Sequence, residues 1–387
     1  MKIVNVEARW VRVPIAPEQQ HTSDFGRATT FDTALVRIDT DTGLTGWGEG
    51  RVAAGSFGNH AAVATTINSE FAPLLIGQPA DRITRLVEGL YSGTRAHFAH
   101  SRGHVFPIMA RRGVTISAIS AIDIALWDLL GKSLGVPVHA LLGGTRVDSM
   151  PAYGSGGWAG VDEIGAQLKA FIARGGFKAI KMRVGVQDGS PRSSAARVKA
   201  AREALGDDVE IMCDAHGTFT VSEAKEFCYR IRDLGIAWFE EPVAADDVVG
   251  LAEVRASSTV PIAGGESEAM RFDFMRLIEH RAVDILQPDL AICGGLSEGL
   301  RIAALASAAN LRLAPHLWTG ACGFAAGLHL CAISPAAFTV EYSLGANPMI
   351  HDLIEEQFTV VDGMIEIPQR SGLGVTVRED FVNRYTV

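Results

Sequence analysis

Seven charged or titratable residues recur through the second half of the chain at intervals of 23 to 33 residues. Each stands at the end of a short apolar run typical of a β-strand; they are Lys181, Asp214, Glu240, Glu266, Asp289, His316 and Glu341. One strand, one helix and two loops take up roughly 25 to 30 residues, because eight such units form a (β/α)8 barrel of about 250 residues. The spacing therefore predicts a barrel with an active site on its carboxyl-terminal rim.

Three of these residues are carboxylates that end successive strands, namely Asp214, Glu240 and Glu266. Neighbouring parallel strands lie about 4.8 Å apart, so the three side chains would converge and repel one another. A hard divalent cation relieves that repulsion, and ligation by oxygen alone favours Mg²⁺. We therefore predict a Mg²⁺ site; the alternative is three unrelated charges in surface loops.

The next three residues of the series suggest acid–base chemistry. Asp289 and His316 end neighbouring strands, so the carboxylate can fix the tautomer of the imidazole and raise its basicity. A buried histidine satisfied by a nearby aspartate is the structural alternative. Glu341 ends the last strand and would donate a hydrogen bond to a substrate if it were protonated, which requires a raised pKa.

Two further pairs follow from strand periodicity. Lys181 and Arg183 are two residues apart, so both side chains point to the same side of a strand, and their apolar neighbours favour the barrel interior. Two cations there would balance the carboxylates and a substrate anion. Asp214 and His216 share a side by the same rule. His216 is a candidate for binding a substrate hydroxyl or for acting as an acid; a loop histidine is the alternative.

Composition excludes several classes of protein. The chain has 387 residues, of which 48% are apolar, and a net charge of −9. No basic run offsets that charge, which argues against binding nucleic acid or an anionic membrane. No apolar run approaches the roughly 20 residues of a membrane span. The five cysteines are an odd number in a long chain and indicate reduced thiols in a cytoplasmic protein.

The elements that would position these residues form two regions. Residues 1–45 alternate like antiparallel strands, and helical periodicity follows at 59–75, 80–92 and 113–134. From about residue 149, strand-like and helix-like runs alternate, which is typical of parallel strands with crossover helices. We predict an α/β fold in which a (β/α)8-type, modified TIM barrel carries an α+β capping domain. The predicted bounds are 1–130 plus the tail 365–387 for the cap, and 131–364 for a (β/α)7β barrel.

The motifs together resemble the enolase superfamily, mandelate racemase subgroup. The resemblance covers nearly the whole chain and depends on AISAIDIALWDLLGKSLGVPVHALLGG (118–144), then KMR, CDAHG, WFEEP, AGGE, QPDLAICGG and APH in order. It implies Mg²⁺ on the three carboxylates, an Asp289–His316 acid/base, Lys181 and Arg183 on the opposite face, and Glu341 as donor to the substrate carboxylate. It also implies a small-molecule carboxylate substrate and a homo-oligomer between dimer and octamer. Reactions of the superfamily begin with removal of a proton α to a carboxylate, giving an enediolate.

Departures from the subgroup pattern narrow the reaction. Asp289 stands where muconate-cycloisomerising relatives have lysine. Arg183 stands where the racemase pattern has lysine, and a guanidinium rarely gives up its proton. We therefore predict one-base chemistry, namely dehydration of a sugar acid to a 2-keto-3-deoxy acid. A sugar-lactone cycloisomerase, a racemase or epimerase of a 2-hydroxy acid with Lys181 as a base of depressed pKa, and a non-catalytic binding protein with a relict barrel are the alternatives.

Substrate specificity is expected from loops of the cap, at about 16–31 and 53–60. Within and beside these loops, His21, Arg27 and His60 are candidates for contacting the far end of a polar substrate. Trp318, two residues after His316, is a further candidate for substrate binding. For any one of the loop residues, a solvated position is the alternative.

Overall fold

The computed structural model describes residues 1–52, 59–103 and 112–387, so most of the predicted loop 53–60 lies outside the described residues. The amino-terminal region begins with three antiparallel strands in the order β1–β4–β5, and a turn at Asp41–Gly43 joins β4 to β5 in a hairpin. A two-stranded hairpin, β2–β3, lies in the loop between the first two. The strands are β1 (Ile3–Pro14), β2 (Thr22–Ser23), β3 (Gly26–Arg27), β4 (Thr30–Thr40) and β5 (Thr45–Gly50).

Helices follow this sheet, as the periodicity predicts. They are α1 (Asn59–Thr66), α2 (Ala72–Leu75), α3 (Ile83–Ser92), α4 (Ala96–Arg102), α5 (Val114–Leu134) and α6 (Val138–Leu141). The helix predicted over 59–75 contains a π-helical segment at Ile67–Phe71. The helix predicted over 113–134 is α5, and it ends at Gly135, whose φ of 68° is the left-handed conformation typical of a helix C-terminus.

Strand β5 packs directly on α5, which explains its glycine-rich sequence TGWGEG. A Cβ atom at Gly48 would lie 2.0 Å from the carbonyl oxygen of Ala121, and one at Gly50 would lie 2.3 Å from that of Ser117. Such distances leave no room for a side chain. The two glycines therefore permit the strand and the helix to approach closely enough to bury the apolar face of α5.

Helix α5 is long and apolar enough to span a membrane by length and composition, with a mean hydropathy of 1.6. The sequence prediction that no run approaches a membrane span therefore missed this segment. However, 78% of its most apolar window is buried inside the protein. Asp123 and Asp128 are also buried on it. These features are those of the central helix of a protein core.

Eight parallel strands form the barrel, in agreement with the predicted α/β class. They are β6 (Ser149–Gly156), β7 (Ala179–Arg183), β8 (Glu210–Asp214), β9 (Ile236–Glu240), β10 (Ile262–Gly264), β11 (Ile285–Leu286), β12 (Arg312–Leu313) and β13 (Val340–Ser343). Strands β6 to β12 pair in sequence order, and β13 pairs with β6. A bridge between Leu313 and Ala337 closes the remaining side.

Seven helices connect the barrel strands, one after each of β6 to β12. They are α7 (Ile164–Ala173), α8 (Pro191–Leu205), α9 (Val221–Ile231), α10 (Val248–Ser257), α11 (Met270–Glu279), α12 (Gly295–Ala308) and α13 (Ala321–Ile333). The short α14 (Pro348–His351) follows β13. This strand and helix order is the predicted (β/α)7β arrangement.

The carboxyl-terminal tail contacts both regions. The hairpin of β14 (Val360–Val361) and β15 (Met364–Glu366) pairs with the first barrel strand, β6. Helix α15 (Glu379–Tyr385) lies against β1 of the cap, and Glu379 forms an ion pair of 2.8 Å with Arg37 of β4. The boundaries 1–130, 131–364 and 365–387 stay predictions.

Apolar side chains fill the inside of the barrel beneath the polar rim. They are Tyr153, Met212, Trp238, Ala263, Ile285 and Ala314, each buried and contributed by a different strand or strand end. Met212 and Trp238 stand two residues before Asp214 and Glu240, so strand alternation points all four side chains inward. All five cysteines are free and buried, as predicted.

Candidate active site

The three carboxylates predicted to bind metal lie together. Asp214 and Glu240 are paired neighbours at the ends of β8 and β9, and Glu266 follows β10 by two residues. One oxygen of each lies within 4.8 Å of the others. Parallel strands of matched register bring these side chains to one point on the rim.

Their electrostatics fit a cation. Burial, together with the charges of the neighbouring carboxylates, outweighs the opposing Lys181 and raises the pKa of Glu240 to about 7. Glu266 Oε2 is buried without a hydrogen-bond partner. A buried acceptor with no donor is costly, and a divalent cation coordinated by oxygen would satisfy it. The donor set therefore suits Mg²⁺.

Lys181 occupies the centre of this acidic cluster. Its ammonium hydrogen-bonds Glu240 and lies 2.9 Å from Glu341 Oε1 and 3.5 Å from Asp214 Oδ2. Burial lowers the pKa of Lys181, but the carboxylates outweigh burial and raise it well above its ordinary value. The depressed pKa that a Lys181 base would need is therefore not found, because three carboxylates stabilise the ammonium.

The surroundings of Glu341 oppose its protonation. Its Oε2 accepts a hydrogen bond of 2.8 Å from the backbone N–H of Leu317, and its Oε1 faces Lys181. Burial raises the pKa of Glu341, but Lys181 and His316 outweigh burial and lower it to about 2. The raised pKa that a Glu341 hydrogen-bond donor would need is therefore not found, because a buried ammonium stabilises the carboxylate.

The predicted Asp289–His316 pair forms. His316 Nδ1 lies 2.8 Å from Asp289 Oδ2, and Asp289 Oδ1 accepts a hydrogen bond from the backbone N–H of Ala291. In this arrangement Nδ1 carries a proton and donates a hydrogen bond to the carboxylate, and Nε2 is left free to face the cavity. Nε2 lies 3.6 Å from Glu266 Oε2. The imidazole is thus placed to exchange a proton beside the three carboxylates that are the candidate metal ligands.

Arg183 lies on the same side of β7 as Lys181, as predicted. Its Nη1 lies 2.7 Å from Asp214 Oδ2, and its side chain is mostly buried. Burial raises the pKa of Asp214, but Arg183, His216 and Lys181 outweigh burial and hold it below its ordinary value. Asp214 is therefore an ionised ligand candidate at neutral pH.

His216 has a partner that the sequence did not reveal. Its Nδ1 lies 2.9 Å from Asp24 Oδ1, on the cap loop between β2 and β3, and the ring of Phe25 lies 4.6 Å from the imidazole. Nε2 lies 3.8 Å from Asp214 Oδ2. The backbone of His216 has a φ of 46°, which directs its side chain over the end of β8. A cap residue thus helps to position a side chain of the barrel rim.

An aromatic wall lines another side. His21 stacks on Trp158 at 4.0 Å, and Trp318 lies edge-on to both rings. Trp158 was not predicted, although it stands two residues after the first barrel strand, where rim residues are expected. Arg27 is exposed and bonds to Gln20. His60 is buried nearer the cap sheet.

These groups share one cavity of about 360 Å³. Its lining includes two of the predicted metal ligands, Asp214 and Glu266, together with Lys181, Arg183, His216, His316 and Glu341. It also includes all four predicted substrate contacts, His21, Arg27, His60 and Trp318. A volume near the lower end of the range for ligand pockets, roughly 300–1,000 Å³, suits one small molecule.

Comparison with known families agrees with this geometry. The enolase C-terminal domain-like family matches residues 163–381, and the mandelate racemase/muconate lactonizing enzyme N-terminal domain matches residues 4–143. The chain belongs to the mandelate racemase/muconate lactonizing enzyme family. The predicted superfamily is thereby confirmed, together with its capped barrel.

Relatives of known activity cover almost the whole chain of this family member. A D-galactonate dehydratase of Ralstonia pickettii is 37% identical, over 90% of this chain and 89% of its own. A D-galactarolactone cycloisomerase of Agrobacterium fabrum is 33% identical, over 91% and 90%. A racemase of Streptomyces coelicolor A3(2), solved with bound magnesium, has a TM-score of 0.86 and 31% identity over the full length of both chains.

Proposed function

We propose that this chain binds Mg²⁺ through Asp214, Glu240 and Glu266 and dehydrates a sugar acid to a 2-keto-3-deoxy acid. The observation that carries the proposal is the position of His316, whose imidazole is bound to an aspartate. Its Nε2 lies 3.6 Å from Oε2 of Glu266, one of the three candidate metal ligands. A proton α to a substrate carboxylate bound there would lie within reach of the imidazole. The named activity of the Ralstonia pickettii relative supports this reaction.

The proton and the electron pair have defined destinations. His316 Nε2 accepts the α-proton, and the C–H electron pair moves into the carboxylate to give an enediolate. When bound, Mg²⁺ supplies the positive charge that stabilises the developing negative charge. The enediolate then expels the β-hydroxyl, which takes a proton and leaves as water. The resulting enol tautomerises to the 2-keto acid.

The pKa of His316 must allow it to begin as a neutral base. Burial lowers that pKa, but Glu266, Glu341 and Asp289 outweigh burial and raise it to about 9. A cation coordinated by Glu266 would offset one of these negative charges and lower the pKa towards neutrality. We therefore expect metal binding and activation of the base to be coupled.

Positive groups opposite the imidazole favour elimination over racemisation. Lys181 is an ammonium between carboxylates, and Arg183 is a guanidinium bonded to Asp214. Neither offers a basic lone pair, whereas racemisation needs an acid/base on each face of the substrate. His216 remains available to protonate the leaving hydroxyl, as an alternative to return of the proton by His316.

Cycloisomerisation of a sugar lactone is the second candidate, because of the aromatic wall. The enolate would be the same, but the leaving group would be a ring oxygen. Trp158 and Trp318 present large apolar surfaces at right angles to each other. Such a corner suits the C–H face of a closed sugar ring. The named activity of the Agrobacterium fabrum relative supports this candidate.

Three sequence predictions belong to the same proposal. The substrate is a small-molecule carboxylate, which the names of the relatives support. We infer a cytoplasmic, homo-oligomeric enzyme of between two and eight subunits. Analytical ultracentrifugation would measure that number directly.

One experiment tests the reaction. Purified protein is incubated with stereoisomeric sugar acids and their lactones in D₂O, with Mg²⁺ or EDTA, while 2-keto product and α-deuterium are followed. We expect Mg²⁺-dependent product from at least one acid, and His316→Asn to lose both exchange and turnover by about 10²- to 10⁴-fold. Turnover that survives metal removal, or exchange unchanged in His316→Asn, would contradict the proposal.

A further inference from the structure

A buried arginine without a counterion lies at the cap end of the active-site cavity. Arg51 directly follows β5, is 9% exposed and lines the cavity. Its Nε is buried and has no hydrogen-bond partner among the residues that the structure describes. Among residues 1–52, 59–103 and 112–387, no carboxylate forms an ion pair with its guanidinium. The two remaining ranges, 53–58 and 104–111, contain no Asp or Glu in their sequence.

An unpaired guanidinium in this position is energetically unfavourable. Arginine keeps its charge at every physiological pH, so it cannot respond to burial by losing a proton. Buried charges in proteins are normally paired, because transfer of an unpaired ion from water is costly. The ring of Phe31, 5.2 Å from the guanidinium carbon, gives a weak cation–π contact only. The missing partner is thus expected from the cavity.

Asp32, a cap carboxylate that lines the same cavity, is already hydrogen-bonded to other donors. Asp32 accepts hydrogen bonds from Trp10 Nε1 at 2.8 Å, Arg12 Nε at 2.6 Å and Thr30 Oγ1 at 2.7 Å. These donors fix its carboxylate beside Arg12. Asp32 therefore balances Arg12, and Arg51 keeps its charge uncompensated.

A second unsatisfied donor or acceptor lies in the same part of the cavity. His60, at the start of α1, is 8% exposed, and its buried Nε2 has no hydrogen-bond partner within the described part of the chain. Burial and the charge of Arg51 lower the pKa of His60 to about 4, so the imidazole is neutral. A neutral imidazole can donate one hydrogen bond to an oxygen of a ligand.

The backbone fixes Arg51 relative to the proton-transfer pair. The backbone N–H of Arg51 donates to the carbonyl oxygen of Ala291 at 2.9 Å, and Ser117 Oγ donates to the carbonyl oxygen of Arg51 at 2.6 Å. Ala291 in turn donates to Asp289. The backbone of Arg51 is thus anchored to the loop that carries the partner of His316.

We propose that Arg51 and His60 form a subsite for a second carboxylate at the far end of the substrate. The preferred substrate would then be a sugar dicarboxylate or its monolactone, with one carboxylate at the candidate metal ligands and the other at Arg51. This inference rests on the proposed function and names the substrate class of that site. A single arginine with a neutral histidine matches the single charge of a carboxylate better than the charge of about −1.5 to −2 on a phosphate monoester.

The test compares acids that differ only at the far end. Binding of galactarate and galactonate, and of glucarate and gluconate, is measured by calorimetry with Mg²⁺ present, alongside kcat and KM. We expect the wild-type protein to bind at least one dicarboxylate about 10- to 100-fold more tightly than its monocarboxylate, the size of a charged hydrogen bond. Arg51→Met should remove that preference, mainly by raising the KM for the dicarboxylate, and should leave the affinity for the monocarboxylate unchanged.

Two further variants complete the design. Arg51→Lys keeps the charge and should retain part of the preference. Arg37→Met removes another cap arginine, ion-paired to Asp39 and outside the cavity, and should behave like wild type. Equal or weaker binding of both dicarboxylates by wild-type protein would overturn the inference without any variant. Dicarboxylate binding that depends on Arg51 but is followed by no turnover would keep the subsite and reject the dehydratase.

Discussion

Two histidines in the cavity are each held by an aspartate, but the two aspartates come from different regions. Asp289, which holds His316, is fully buried on the barrel rim. Asp24, which holds His216, lies on the cap loop between β2 and β3. Burial raises the pKa of Asp24, but its hydrogen bond to His216 and the charge of that ring outweigh burial and lower it. Asp24 is therefore an ionised positioning residue whose effect depends on the placement of the loop.

Replacement of Asp24 tests this role. Asp24→Asn keeps the shape of the side chain but removes the charge that orients His216, so we expect kcat to fall about 10- to 100-fold. The double variant Asp24→Asn/His216→Asn should lose no more kcat than the more damaging of the two single variants, because both residues act through one imidazole. Glu18→Gln, which changes an exposed carboxylate in the segment between β1 and β2, is the matched control. Fully additive losses in the double variant would contradict a shared role.

The sequence could locate the rim residues but not their partners. Asp214, Glu240 and Glu266 follow from strand ends on a regular period, because parallel strands place successive ends at one edge. Asp24 is 192 residues from His216, and no local pattern relates the two. The protonation states of Lys181 and Glu341 depend on distances of a few ångström, which residue types alone do not fix. This is why the sequence left open whether Lys181 has a depressed pKa and whether Glu341 has a raised pKa.

At the scale of elements, one glutamate joins the cap sheet to a barrel helix. Glu49 on β5 is fully buried and accepts hydrogen bonds from the backbone N–H groups of Gly320 and Gly323, at 2.7 and 3.1 Å. Thr33 and Thr319 donate to it as well. The first N–H groups of a helix have no partner within the helix, and its dipole favours negative charge there. Glu49 thus caps α13, which follows the strand that carries His316.

Glu49→Ala would leave these donors buried without an acceptor. We expect the free energy of unfolding to fall by about 2–4 kcal/mol, measured by urea denaturation. Glu49→Gln retains an acceptor oxygen and should cost less. Glu7→Ala, at a half-buried position of β1, should stay within about 0.5 kcal/mol of wild type. A loss below about 1 kcal/mol for Glu49→Ala would show that water or a rearranged loop replaces the carboxylate.

On the scale of the whole molecule, buried carboxylates of α5 connect the cap, the barrel and the tail. Asp123 of α5 accepts from the backbone N–H of Ser297 in the barrel, and Asp128 accepts from Trp47 in the cap and from Leu373 in the tail. The apolar α5 therefore uses its buried carboxylates as contacts between regions. The sequence predicted two regions from their different periodicity, but not these contacts, because a buried aspartate in an apolar helix does not indicate its partner.

Metal binding should consequently stabilise the entire fold, and more so at high pH. The folded-state pKa of Glu240 is about 7, above its ordinary value, so its ionisation costs stability as pH rises from the ordinary pKa through 7. Mg²⁺ would offset that cost and compete with the proton below pH 7. At 100 times its Kd, a ligand stabilises the folded protein by about 2.7 kcal/mol.

We expect Mg²⁺ to raise the Tm more at pH 8 than at pH 6 and to have little effect on the Tm of Glu266→Gln, which loses one metal ligand. An equal rise in that variant, or a larger rise at pH 6, would place the cation elsewhere.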